Sequence, residues 1–400
     1  MNVRRPVMRT LKQLDRTLGR AFGPRRVLVE LRSPMNLEVL RPIWTALARD
    51  ARVDLTFAAE NGAWVRPALA QAGLDHRLIP GRQAVWRRFD LAFNADPWDA
   101  LDLRRCWRRA NFFHGVAGKL DLDDPRTLAR HIDFGIYDRL LFVNEERLRL
   151  YVEAGVVPRE RAALVGFPKT DDLVNGQWSA AEVRRQLGLD PSLRTVLYAP
   201  TFSPASSLHL AGEAIVDTLR ASGRNVIVKL HDRSLVPHPK HTAGIDWRAR
   251  LARFNGLPRY AFAEGAHAGP YLAAADALIT DHSTIGFEFA LLDRPIVVFD
   301  APDLLRHARI NPDKWRLLRG MADLARDVAE LPAVLDRALA LPERHAAARQ
   351  RVSRSLFAFR GRATERALQV VYELLELTPI AGEDRRGAGR RIESLAREVA

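Results

Sequence analysis

The chain has 400 residues, 47% of them hydrophobic, and a formal net charge of +14. That length and apolar content suit two domains of roughly 150–200 residues, each with its own core. A single cysteine, Cys106, excludes an internal disulfide framework and a thiolate zinc site, and no run of about 18 apolar residues exists to cross a bilayer as a helix.

The N-terminus has no uninterrupted apolar core and no small-residue cleavage site, so no secretory signal is expected. The positive surplus calls for a polyanionic partner: nucleic acid, anionic lipid or a phosphate-rich substrate. Residues 1–24 place Val7, Leu11, Leu14, Leu18 and Phe22 at helical spacing, with Arg4, Arg5, Arg9, Lys12, Arg16 and Arg20 over the remaining arc. This is a basic amphipathic helix of the kind that lies on an anionic membrane surface. A surface helix packed on the first domain is the alternative.

Short apolar runs then alternate with helical stretches. Strands are predicted at Val27–Leu31, Val53–Ala58, Leu91–Asn94, Asn111–His114 and Leu140–Val143, with helices over 37–49, 62–72, 98–109 and 145–154. After a polar boundary near Asp171–Ser179 come strands at Thr195–Ala199, Asn225–Leu230, Tyr260–Phe262, Ala277–Thr280 and Ile296–Phe299. Helices are expected over 209–222, 245–254, 268–275, 284–292 and 330–340, and a terminal helix over 362–377. Strands alternating with helices imply parallel sheets. The expected architecture is α/β, two Rossmann-like doubly wound domains at 25–180 and 181–378 facing a cleft, with a charged tail at 379–400. Ligands of such sheets bind beyond the carboxyl ends of the strands.

Four segments carry chemistry. FFHGVAGK, 112–119, ends a strand on His114, with Gly115 to turn the backbone and Lys119 close behind. It is not a Walker loop, because the glycine spacing is wrong and no Ser or Thr follows the lysine. A histidine at a strand end suits general-base work, though a packed surface histidine is commoner. VLYAPTF, 196–202, ends a strand before Thr201. VIVKLH, 226–231, ends on Lys229 and His231. AADALITDHSTIGFEFALLDRPIVVF, 274–299, runs a strand into Asp281-His282-Ser283-Thr284 and then a helix carrying Glu288. Ser283, Thr284 and the amides at that helix start form an anion site, or else cap the helix.

These segments resemble, in order and spacing, the CDP-glycerol glycerophosphotransferase family. HGVAGK is similar to that family's HGTPLK-type element, VLYAPTF to its YAPTF element and VKLHD to its KLHP element. The 274–299 segment resembles its AD-x-LITDYSS-x-x-FDF-x-LL-x-KPIIF signature. The resemblance covers about residues 110–300. It implies a GT-B fold with an acceptor domain at 25–180 and a nucleotide-donor domain, including the terminal helix, at 181–378, a peripheral enzyme of the cytoplasmic membrane face, and transfer of glycerol phosphate from CDP-glycerol to a hydroxyl of a lipid-linked or glycan acceptor in cell-surface polymer synthesis. It further implies His114 as general base, with His231, Ser283, Thr284 and Thr201 around the donor pyrophosphate. Gly115 and Lys119 fall in the acceptor or phosphate element. Val116-Ala117-Gly118, Asp232 and His282 depart from the family pattern.

Glu288 and Lys229 are the candidate nucleotide-binding residues. The alternative within the same architecture is a GT-B glycosyltransferase or UDP-sugar 2-epimerase-like enzyme, in which Glu288 holds a ribose hydroxyl. Trp86-Arg87-Arg88 and Trp107-Arg108-Arg109 mix aromatic and basic residues as single-strand binders do, but no nucleic-acid motif accompanies them, and the same pairs fit a membrane interface. His231, His238 and His241 match no familiar metal-ligand spacing. Mg²⁺ assistance to the pyrophosphate stays open.

Overall fold

The computed structural model describes residues 23–116, 124–308 and 310–379. The amphipathic segment expected at 1–24 and the tail at 379–400 therefore lie, but for their innermost residues, outside the described residues, as does Lys119.

The first sheet has seven strands: β1 (Arg25–Leu31), β2 (Val53–Ala59), β3 (Leu78–Pro80), β4 (Arg88–Asn94), β5 (Arg105–Phe112), β6 (Arg139–Phe142) and β7 (Ala162–Leu164). Their order is β3-β2-β1-β4-β5-β6-β7, parallel throughout. The second has six: β8 (Thr195–Tyr198), β9 (Asn225–Val228), β10 (Tyr260–Phe262), β11 (Ala277–Thr280), β12 (Ile296–Phe299) and β13 (Asp323–Ala325). Their order is β10-β9-β8-β11-β12-β13, again parallel. Helices cover both faces of such sheets, so strands lose alternation and read as continuous apolar runs. That is why TVLY, NVIV, ALIT and IVVF, buried at every residue, were legible. Each sheet reverses its strand order beside its first strand, between β1 and β4 and between β8 and β11. A crevice opens at the carboxyl ends there, because the flanking connections leave toward opposite faces.

Three departures from the sequence reading have physical causes. The stretch 98–109, expected to be helical, is a short 3-10 turn followed by β5. Its arginines mimic a solvated helix face, but Arg108 pairs with Asp138, just before β6, at 2.7 Å and Arg109 with Glu30 of β1 at 2.8 Å, so partners distant in sequence hold an extended chain. β3, β7 and β13 have three residues each and lack the two aromatics that mark the equally short β10. The terminal helix, Ala363–Leu375, lies against the first sheet's half rather than the second's. Tyr372 donates to Asp50 at 3.0 Å, Arg25 donates to the Leu375 carbonyl at 3.2 Å, and the amides of Ala363 and Thr364 donate to the Asp171 carboxylate at 3.1 and 2.6 Å. Its apolar face, including Ala367, Leu368 and Val371, joins the same core as Ile43 and Leu47.

No helix among the described residues is long and apolar enough to cross a membrane.

Candidate active site

The second sheet's crevice encloses a cavity of about 450 Å³ whose walls include Thr201, His231, Ser283 and Thr284. Four residues from three separate strand ends thus converge on one space. Asp281, fully buried, braces it. Its Oδ1 accepts from the backbone amides of Thr201 (2.8 Å) and His282 (2.6 Å), and its Oδ2 accepts from the Ser207 amide (3.0 Å) and hydroxyl (2.9 Å). The turn after β8 is thereby locked to the turn after β11. The sequence displays Asp281 in the same four-residue turn as Ser283, but nothing local marks it as the brace.

The helix after that turn, Ile285–Ala290, has only six residues, and Thr284 at its N-cap makes no side-chain capping bond. Its dipole is correspondingly small. Attraction for anions comes instead from the walls, which include Lys240, Lys314, His241 and His307 and no carboxylate among the described lining residues. His231 is held by its Nδ1, which accepts from the Arg233 amide at 3.1 Å. In the neutral ring that leaves the proton on Nε2, a donor. Its ring packs on Phe202, with centroids 4.2 Å apart.

His282 has 7% of its surface exposed and stacks on Trp315, ring centroids 3.2 Å apart and planes within 10°. Burial, with the Arg319 charge adding to it, pushes its imidazole down to about 3. Both its ring nitrogens and the Thr201 hydroxyl are buried without a hydrogen-bond partner among the described residues. Trp315 and Lys314 come from the helix Pro312–Gly320, for which the sequence reading had no element.

Two candidates stand apart from the cavity. Glu288 is buried and accepts from Lys169 Nζ at 2.9 Å. Lys229 donates to the Leu230 carbonyl at 2.8 Å, and burial lowers its pKa, opposed by the Asp232 carboxylate. Neither lines the cavity.

His114 lies beyond β5, on the other half of the molecule, with Gly115 following it. Its Nδ1 is 2.8 Å from the Ala95 carbonyl and 3.5 Å from Asp96 Oδ1. A carbonyl can only accept, so Nδ1 carries the proton and Nε2 of the neutral ring carries the lone pair. Asp96 also acts electrostatically on the other half. Arg233, two residues past His231, has its guanidinium 5.3 Å from the Phe202 ring. Burial and the Arg32 charge lower its pKa, while Asp96 raises it. The loop carrying His231 therefore lies within electrostatic reach of the residue beside His114. Among the described residues no group of three or more His, Cys, Asp or Glu is placed to hold a metal ion.

Two parallel doubly wound sheets, with a cationic crevice at the switch point of the second, define a GT-B-type transferase scaffold. The family model described as CDP-Glycerol:Poly(glycerophosphate) glycerophosphotransferase matches residues 124–373, more than half the chain, and the chain belongs to that family. The matched span begins after His114. The teichoic acid glycerol-phosphate primase of Bacillus spizizenii is 25% identical over 171 residues, 42% of this chain and 41% of the primase. The match thus spans about two-fifths of the relative's length. The wall teichoic acid polymerase TagF superposes with a TM-score of 0.62 at 15% identity, covering 88% of this chain and 89% of that one. A UDP-GlcNAc 2-epimerase from Neisseria meningitidis superposes with a TM-score of 0.54 at 10% identity, covering 88% and 99%. At these identities the solved structures speak for the fold.

Proposed function

We propose that the protein transfers glycerol phosphate, or a related polyol phosphate, from a CDP-activated donor to a hydroxyl of a membrane-associated acceptor in cell-surface polymer synthesis. The observation that carries this reading is the convergence of Thr201, His231, Ser283 and Thr284 on one cavity with no carboxylate among its described lining residues, in a chain of the glycerophosphotransferase family. The donor diphosphate lies against Ser283 and Thr284. His231 donates a hydrogen bond to it, and Lys240 and Lys314 share its charge.

His114 is the general base. Its Nε2 takes the proton of the acceptor hydroxyl, whose oxygen forms a bond to the phosphorus bearing glycerol. The bond from that phosphorus to the bridging oxygen breaks, and CMP leaves with the electron pair. The Ala95 carbonyl fixes the tautomer this requires, and Asp96 steadies the imidazolium that results. Such a transfer depends on positioning and charge neutralisation more than on covalent help. The protein works at the cytoplasmic membrane face, held there peripherally by the basic segment 1–24 against anionic lipid.

The test is CMP release by purified protein with vesicles and an acceptor analogue, across CDP-glycerol, CDP-ribitol and UDP-sugars. A CDP-polyol should be the donor, and His114→Ala should lower kcat by about 10²–10⁴-fold. Turnover of UDP-sugars alone would place the chain with the sugar transferases and epimerases. Undiminished turnover in His114→Ala would remove the base assignment.

A further inference from the structure

One aromatic ring in the wall of the donor cavity supports two functional side chains. Phe202 packs on the His231 ring, with centroids 4.2 Å apart, and its centroid also lies 5.3 Å from the guanidinium of Arg233. Its neighbour Thr201 is tied by its amide to the buried Asp281 carboxylate at 2.8 Å, so the ring is a fixed platform. The Arg233 amide donates to His231 Nδ1 at 3.1 Å, which sets the tautomer of that histidine.

The Arg233 side chain is half-buried, and no carboxylate among the described residues forms an ion pair with it. The charges that act on it are Arg32 and Asp96, both from the first half. Asp96 Oδ1 in turn lies 3.5 Å from His114 Nδ1. Arg233 therefore stands between the two histidines, with its amide on His231 and its charge beside the support of His114. Two guanidinium charges share this stretch of cleft, and Asp96 offsets their repulsion only in part. An anion entering between the halves relieves it. A guanidinium stacked on an aromatic face keeps its fork of N–H donors free at the edge, a shape that matches two oxygens of one phosphate.

We propose that Arg233 is a further catalytic residue, whose guanidinium donates to the two non-bridging oxygens of the phosphorus under attack. This rests on the transferase reading and adds the group that neutralises the charge building on those oxygens as the acceptor oxygen bonds to phosphorus and CMP departs. Arg233 does not line the donor cavity, so a donor seated there is held by Ser283, Thr284 and His231 without it. Its contribution falls on the transition state.

The experiment uses the full chain, CDP-glycerol and an acceptor analogue in vesicles, with CMP release as the readout. Arg233→Ala should lower kcat by about 10²-fold or more and leave the calorimetric Kd for CDP-glycerol within about twofold. Arg233→Lys keeps the charge without the fork and should recover part of the loss. Guanidinium chloride, below denaturing concentrations, should raise the turnover of Arg233→Ala and not that of the wild type. Unchanged kcat in Arg233→Ala overturns the assignment. A fall in donor affinity that accounts for the whole loss also overturns it, because Arg233 would then be a ground-state ligand of the donor. So does a loss that neither lysine nor guanidinium relieves, which would make Arg233 a support of the fold. These three failures leave the transferase reading standing, whereas a wild-type protein that releases no CMP from CDP-glycerol overturns that reading and the role of Arg233 with it.

Discussion

Three histidines in this molecule differ by what touches their rings. His114 is pinned by a carbonyl on Nδ1 and His231 by an amide on Nδ1, so the first presents a lone pair and the second a proton. His282 is kept neutral by burial against Trp315. Its consequence is a pH dependence of stability. The folded value lies at about 3 and the ordinary value at 6.5, so between those limits the unfolded chain binds more protons than the folded one. Stability therefore falls as pH drops from 6.5 toward 3, by at most about 1.4 kcal/mol per unit from this group. His282→Phe keeps the stack on Trp315 and removes the titration. Its melting temperature should fall less steeply with acid than the wild type's, as differential scanning calorimetry at pH 7, 6, 5 and 4 can measure. Parallel pH profiles would clear His282 of this role.

At the scale of elements, the two halves depend on close approaches that leave no room for a side chain. Gly166, just past β7, has φ +87°, and a Cβ there would stand 2.1 Å from the Ala358 carbonyl oxygen. The chain returns to the first half at this point, with the Ala358 amide donating to the Val143 carbonyl at 3.1 Å and Phe357 facing Phe167 at 6.3 Å. Only glycine combines that backbone conformation with that contact. Gly166→Ala should destabilise the protein by about 2 kcal/mol or more, read as a lower denaturant midpoint. An unchanged midpoint would mean that the returning segment is free to shift.

On the scale of the whole molecule, charge is concentrated where the halves meet. Glu38 of the first half lies 3.1 Å from His267 of the second, and Arg41 pairs with Asp172 at 3.2 Å. Lys169, on the connection between the halves, pairs with Glu288 in the second. This pair is buried, so removing one partner strands the other's charge. Glu288→Leu should cost about 3–5 kcal/mol, whereas Lys169→Met with Glu288→Leu should recover most of that loss. Chemical denaturation of the two variants distinguishes a structural tie from a nucleotide contact. If Glu288 instead held a ribose, the single variant would lose donor affinity at little cost in stability.

The sequence by itself determined the fold class and four of the residues that line the second sheet's crevice. Buried parallel strands must be continuous apolar runs, and polar residues at their carboxyl ends must face the crevice, so Thr201, His231, Ser283 and Thr284 were legible from strand position and motif alone. Glu288 and Lys229 were singled out by the same pattern, yet neither lines that cavity. They too follow apolar runs, but Lys169 and the Leu230 carbonyl satisfy them, and only the folded chain brings those partners near. The tertiary structure alone decided that 105–112 is a strand, because its arginines find Asp138 and Glu30 across the sheet. It alone returned the terminal helix to the first half, joined Trp315 to His282 and made Asp281 a brace. Each of these depends on a contact between residues far apart in the chain, and local pattern carries no record of such contacts.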